Sequence, residues 1–388
     1  MEAKVRRILE DVRKRGDAAV AAALRRFDGV NLRPTEWRIR PGELKAALGR
    51  LAPERRAILA ESVKNVRRFH EAERRRAMTV WTETRRGVTV GQRVTPVDAA
   101  GLYVPGGRFA YPSTVFMTAV PAKAAGVRRV VMVTPPRHLT DEVKAAAWLS
   151  GVDEVYQIGG VAAVAALAFG TKTVKPVDLI VGPGGAWVTE AKRQVFGAVG
   201  LDALAGPSEV VLIADGSANP AFAAADMMAQ AEHDPQARAT LISTDAGVLA
   251  AARKAVAKEF LGQCRFLKAR DLKTAAEASN RAAPEHLSLL VKNPKALLPS
   301  IRHAGAIFLG PWSPVAAGDY WAGPSHVLPT ARSARFSSGL SVQTFWKRSS
   351  IIELTEAALN KNADGIAALA EAEGLVRHAA SLKVRHGS

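Results

Sequence analysis

Cysteine is almost absent: the chain of 388 residues has one, Cys264. A disulfide needs two thiols, and thiolate-bound zinc or iron–sulfur centres need at least two, so those scaffolds are excluded. Any metal here has to bind through His, Asp, Glu or amide groups. Aromatic residues make up only 6% of the chain. No uncharged apolar run reaches the roughly 20 residues that span a bilayer. The longest candidate, 156–171, is rich in Gly and Ala and is followed by Lys172, so no membrane partner is expected. The opening Met1-Glu2-Ala3-Lys4-Val5-Arg6-Arg7 lacks the apolar stretch of a secretion signal, and a cytoplasmic location is the expectation.

Basic charge, in contrast, is plentiful: 54 Lys and Arg stand against 36 Asp and Glu, a net +18. Nucleic-acid binders concentrate such charge in tracts with aromatic neighbours, whereas here it is scattered. The densest cluster, Arg74-Arg75-Arg76, follows Glu71 and Glu73 in a helical pattern and reads as a solvated helix face. No nucleic-acid partner is expected.

The length suggests two or three domains, at roughly 100–200 residues each. Residues 1 to about 75 read as helices. Ile8, Val12, Val20 and Leu24 recur near helical spacing, Gly16-Asp17 marks a break, and a second stretch runs from Pro41 to Glu73. From about Val94 short β-branched runs alternate with Ala-rich helical segments: 127–133, 152–158, 177–181, 210–214 and 241–243. That alternation predicts parallel sheets in an α/β fold. Further strands are expected at 287–291 and 306–309, after a helix over 220–232, and the last forty residues read as helical again.

Gly- and Pro-rich loops follow several strand-like runs: Tyr103-Val104-Pro105-Gly106-Gly107, Ile158-Gly159-Gly160, Val181-Gly182-Pro183-Gly184-Gly185 and Ala205-Gly206-Pro207-Ser208. Such loops let backbone N–H groups approach a phosphate. None matches the G-x-G-x-x-G dinucleotide fingerprint.

The polar residues that could meet at a site come from distant segments. Gln230 and His233 stand at i and i+3, on one face of a helix and suited to one metal. Glu285-His286 sets a carboxylate beside an imidazole at a strand edge, an arrangement suited to acid–base chemistry. Asp319 and His326 fall in a Gly/Pro-rich loop. His378 lies in the C-terminal helical stretch, and spacing alone leaves both Glu371 and Glu373 open as its companion. Ile366, Leu369 and Leu375 would dock that stretch as an amphipathic helix. Gln230, His233, Asp319 and His378 together make a thiol-free N/O set that fits zinc, and cobalt or manganese less well.

Read in order, the motifs resemble the histidinol dehydrogenase family. The resemblance runs from Arg15-Gly16-Asp17 and Phe27-Asp28-Gly29 through Gly101-Leu102-Tyr103-Val104-Pro105 and Ala205-Gly206-Pro207-Ser208-Glu209. It continues in Gln230-Ala231-Glu232-His233, Ala283-Pro284-Glu285-His286, Gly318-Asp319-Tyr320 and Ser325-His326-Val327-Leu328-Pro329-Thr330. It implies a zinc- and NAD-dependent homodimer that oxidises L-histidinol through the aldehyde to L-histidine, with a same-fold relative acting on another small alcohol as the alternative. By that resemblance Gln230, His233, Asp319 and His378 match the zinc ligands, with His378 serving the other subunit, and Glu285 and His286 match the acid–base pair. Ser208, Gln230, His233, His286, Asp319, His326, Glu373 and His378 match substrate contacts, which selects Glu373 over Glu371.

Tyr103, Pro105, Ala162 and Gly185 fall at dinucleotide positions. Ala162 stands where the family usually has Gln, and Gly185 where it usually has Asn, so weaker or differently posed NAD is expected. The implied fold is two Rossmann-like domains with helical N- and C-terminal extensions exchanged between subunits. The expected division is 1–102 with 211–340, then 103–210 on the dinucleotide side, then a helical tail over 341–388.

Overall fold

In a computed structural model, residues 1–106 and 110–385 are described. The chain forms two compact units, Met1–Arg74 with Val97–Phe345, and Arg75–Pro96 with Trp346–Ser388.

The larger unit holds two sheets. The first runs in the order Arg38–Ile39, Glu154–Tyr156, Arg129–Val133, Ala99–Tyr103, Leu179–Val181, Gly200–Leu201. All its pairings are parallel except that of the short edge strand Arg38–Ile39. Its inner strands, Arg129–Val133, Ala99–Tyr103 and Leu179–Val181, are buried on both faces and so read as apolar runs, as parallel strands must when helices cover them. The helix Gly160–Phe169 is buried nearly all round because Gly and Ala let neighbours approach closely. Val5, Leu9 and Val12, one stripe of the helix Glu2–Arg15, pack with it in one core.

The second sheet is fully parallel, in the order Cys264–Lys268, Arg238–Ser243, Glu209–Ala214, His286–Leu290, Ala306–Leu309. Its two faces bury separate clusters, one under the helix Pro220–Glu232 and one under Leu272–Ala282.

The α/β class with parallel sheets agrees with the sequence reading. The division of residues does not follow the expected lines. Ala99–Tyr103 is an inner strand of the first sheet and the helix Glu2–Arg15 packs on that same sheet, so these parts of 1–102 lie with 103–201 rather than with 211–340, while Arg75–Pro96 belongs to the smaller unit.

The smaller unit corrects a second expectation. Its core element is an antiparallel sheet in which Val88–Pro96 lies between Trp81–Arg85 and Trp346–Leu354. The C-terminal stretch therefore starts as a strand, and its helices follow at Glu356–Ala372 and Val376–Lys383. Thr355 caps the first of these, its Oγ1 accepting from Ala358 N–H at 3.2 Å. Ile366, Leu369 and Leu375 are exposed rather than docked, and Ala358, Ala363 and Ala367 are the buried positions of the long helix.

The hairpin turn is Arg86-Gly87, with φ of 53° and 77°. Two positive φ values fit a type I′ turn, for which Asn-Gly is the favoured pair and Arg is strained. Arg86→Asn is expected to raise stability by about 0.5–1 kcal/mol. Chemical denaturation of both proteins checks this, and an unchanged or lower midpoint would contradict it.

Candidate active site

Alternation along the strand His286–Leu290 decides which side chains meet which helix. Leu287 and Leu289 pack with Val211, Ile213 and Ala275, on the Leu272–Ala282 side. Leu290 joins Val210, Leu212 and Met227, on the Pro220–Glu232 side. His286 shares the parity of Leu290, so it faces the helix that carries Gln230. The bend that delivers Pro284-Glu285 into this strand is Ala283, the left-handed C-cap of Leu272–Ala282 at φ 47°.

Glu285 is buried at the start of the strand. Its Oε2 accepts from Ser208 Oγ at 2.5 Å and from Glu209 N–H at 3.0 Å. Burial nevertheless dominates and pushes the Glu285 carboxyl up to about 7, with the two donors opposing it. A carboxyl poised there can both take and return a proton near neutrality.

His286 is equally buried, and burial lowers its pKa, so the ring is neutral at pH 7. Its Nδ1 lies 3.7 Å from Glu285 and its Nε2 3.9 Å from Asp319 Oδ1. Both distances are too long for hydrogen bonds, and neither ring nitrogen makes a well-formed hydrogen bond, although the Glu209 backbone lies close enough to raise the ring's pKa against burial. Buried polar atoms are almost always paired in proteins, so a buried ring without a well-formed hydrogen bond keeps capacity for a ligand. Asp319 lies on a short helix, Val315–Tyr320, rather than in the expected loop. Its carboxyl is raised by burial, with His286 and His233 pulling the other way. His326 Nδ1 meets the Asp319 backbone carbonyl at 3.1 Å, and burial pushes the ring down to about 4, leaving it neutral.

Gln230 occupies the last turn of Pro220–Glu232 and His233 is its C-cap, still with helical φ and ψ, so the expected i, i+3 geometry holds. Gln230 Nε2 is buried without a partner. Among the described residues no three His, Cys, Asp or Glu side chains form a ready metal cage. The donor set nonetheless suits a cation. The buried Asp319 carboxylate lacks a close counter-charge, and a divalent ion beside it and His233 would offset that cost.

Glu373 and His378 belong to the smaller unit. Glu373 caps the end of one helix, Gly374 turns at φ 77°, and His378 lies in the first turn of the next. The continuous helix assumed in comparing Glu371 with Glu373 is therefore broken at Gly374.

On the first sheet, Tyr103 ends the strand Ala99–Tyr103, its hydroxyl accepting from Gly160 N–H at 3.1 Å. Burial pushes the phenol up to about 12, so it keeps its proton. Pro105 stands two residues on, after Val104, while Gly107 of the same loop lies outside the described residues. Ala162 is buried in Gly160–Phe169. Gly185 is the N-cap of Ala186–Val195 with φ −65°, and a Cβ added there meets nothing within 4 Å.

Three residues that sequence reasoning did not single out support these groups. Glu209 donates its backbone N–H to Glu285 and had no signal beyond adjacency to Ser208. Lys192 and Asp202 form a buried pair, 2.5 Å apart, that clamps the loop beginning at Gly182. Lys192 Nζ donates to Gly182 O at 2.9 Å, and Gly182 N–H donates to Asp202 at 2.7 Å. Gly182 has φ 109°, and any Cβ there would stand 2.3 Å from the Tyr103 carbonyl oxygen, so only glycine fits.

Comparison with known proteins matches this arrangement along its whole length. The family model for histidinol dehydrogenase covers residues 1–386. Histidinol dehydrogenase 2 of Trichormus variabilis is 48% identical over 99% of this chain and 92% of its own length. The histidinol dehydrogenase of Gluconobacter oxydans is 48% identical over 98% and 92%. The crystal structure of histidinol dehydrogenase from Elizabethkingia anophelis superimposes with a TM-score of 0.92 at 33% identity, covering 99% of this chain and 91% of that one. A family model over almost the whole chain and relatives at close to half identity over nearly their full length show that the chain belongs to the histidinol dehydrogenase family.

Proposed function

We propose that this protein oxidises L-histidinol through L-histidinaldehyde to L-histidine, passing two hydrides to NAD in the last step of histidine biosynthesis. The observation that carries the reading is His286, buried without a well-formed hydrogen bond between a carboxyl poised near neutrality and Asp319. The relatives that match most of this chain favour histidinol over another small alcohol.

Gln230, His233 and Asp319, with His378 of the partner subunit, would hold zinc in a homodimer in the cytoplasm. Zinc, when bound, supplies a Lewis-acid template for the nitrogens of the substrate. His286 accepts the alcohol proton in the first oxidation, which its neutral ring allows. Glu285, ionised, takes a proton from the water that adds to the aldehyde, and the hydrate so formed is the species oxidised second. Ser208 and the Glu209 N–H aim the Glu285 carboxylate, while His326, neutral, and Glu373 contact the substrate. Tyr103 and Pro105 line the dinucleotide side, near Ala162 and Gly185. The test is NADH production from L-histidinol with native protein, after chelation, and after zinc readdition. Loss and recovery of the signal with histidine as product supports the reading; no NADH from zinc-loaded protein contradicts it.

Gly185 gives a separate prediction. Gly185→Asn meets no clash and places a good capping residue at a helix start. An added hydrogen bond to the dinucleotide is worth about 0.5–1.5 kcal/mol, which is about 2- to 10-fold in Kd for NAD. Calorimetric titration checks it, and an unchanged Kd would remove Gly185 from the cofactor contacts.

A further inference from the structure

At the strand-start end of the second sheet, on the face away from His286, a cavity of about 470 Å³ opens beside the helix Leu272–Ala282. Arg281, Arg302, Arg332 and Arg335 line it together with His303, and Glu277 is the one acid on its wall. Four guanidinium groups less one carboxylate leave a formal +3. Among the described residues none of these arginine side chains has an ion pair, although arginines elsewhere in the chain commonly do. Like charges gathered without counter-charges repel one another, and an anion between them relieves that repulsion.

The wall is built rather than incidental. Asn280, 6% exposed, spends its whole carboxamide on it. Its Nδ2 donates to Ser300 O at 2.8 Å, and its Oδ1 accepts from Arg302 N–H at 2.7 Å and His303 N–H at 3.2 Å. The segment that carries Arg302 and His303 is thereby fixed in place. Arg332 is held at φ 67°, next to Ala331 at φ 51°. Left-handed backbone at two consecutive non-glycine residues is costly and persists only where the surroundings enforce it, commonly at ligand sites. Two groups anchor it: the Glu209 carboxyl accepts from the backbone N–H groups of Ala331 and Arg332, and Thr330 Oγ1 accepts from Gly206 N–H at 2.6 Å while its carbonyl accepts from Ser333 Oγ at 2.6 Å.

We propose that this cavity binds a diphosphate anion, at a site separate from the catalytic pair. Forked guanidinium donors match phosphate oxygens two at a time, and four of them exceed what one phosphate group uses. The charge and the volume both suit two linked phosphates, whether free or carried by a nucleotide.

The test is calorimetric titration of the full-length, zinc-loaded protein with inorganic pyrophosphate and, in a second arm, with ADP, at fixed ionic strength. The same titrations are run on Arg281→Ala/Arg335→Ala. Both substituted side chains are exposed, and a circular dichroism melt with unchanged histidinol turnover establishes that the variant is folded. Heat from metal stripping is common to both proteins and cancels. The expected result is one saturable site per chain that is at least tenfold weaker in the variant, over any ADP binding at the dinucleotide side that both proteins share. Equal variant-sensitive affinity for the two anions assigns recognition to the phosphates alone, and tighter ADP assigns a nucleotide. No saturable binding, equal affinity in the variant, or retention of duplex DNA that pyrophosphate does not displace would overturn the proposal.

Discussion

Glu285→Gln is expected to slow conversion of histidinaldehyde to histidine by about 10²–10⁴-fold, the range for loss of a general base, while slowing the first oxidation far less. Gln keeps the shape and can still accept from Ser208 and Glu209, but it cannot take a proton from water. Single-turnover assays started from histidinol and from the aldehyde separate the two halves, and equal slowing of both would contradict this role. The same carboxyl sets a pH dependence. Its folded pKa of about 7 means that the base is ionised above that value, so the hydration step rises with pH up to about 7 and then levels. Stability runs the other way. A carboxyl raised by folding binds its proton more tightly in the native state than in the unfolded one, so stability is lost as pH rises from the unfolded value of 4.5 to about 7. At pH 8 Glu285→Gln is therefore expected to be more stable than the native protein, on the order of 1–3 kcal/mol, so that one substitution lowers turnover and raises the denaturation midpoint.

Lys192→Met is expected to destabilise the protein by about 3–5 kcal/mol, the usual cost of leaving a buried charge unpaired. Lys192 and Asp202 are 2% and 5% exposed, so solvent cannot replace the missing partner. The loss extends to the loop at Gly182, which Lys192 holds through its carbonyl and Asp202 through its N–H. Weaker NAD binding should accompany the loss of stability, since that loop leads to Gly185. Adding Asp202→Asn to the variant removes the orphaned charge and should recover part of the stability. A single-variant cost below about 1 kcal/mol would contradict the pair's role as a buried clamp.

Much of the larger unit was legible because its elements are locally self-consistent. The helix over 220–232 and the strand over 306–309 carry clear patterns and have the bounds the sequence suggested. The smaller unit was not legible. Its turn is Arg-Gly instead of Asn-Gly, and Trp346–Leu354 is interrupted by Lys347, Arg348, Ser349 and Ser350. Only pairing with Val88–Pro96, some 250 residues away, makes it a strand. Tertiary context overrides local preference at such places.

The site divides in the same way. Gln230 and His233 could be paired from spacing, because a helix fixes their separation. The state of Glu285 could not be read, because burial and two donors from residues 208 and 209 set it. Glu209 is the clearest omission: its backbone N–H touches the Glu285 carboxylate, and nothing in its own letter announces that. The helix break at Gly374 was hidden for the opposite reason, since Glu371 through His378 is compatible with continuous helix until the positive φ is seen.

The most direct test of the whole account is an endpoint measurement with limiting L-histidinol, excess NAD and zinc-loaded protein. Two NADH formed per histidinol consumed, with histidine as the accumulated product and no aldehyde in solution, is the predicted result. One NADH per histidinol with released aldehyde would contradict the claim that Glu285 and His286 carry the substrate through both oxidations at one site.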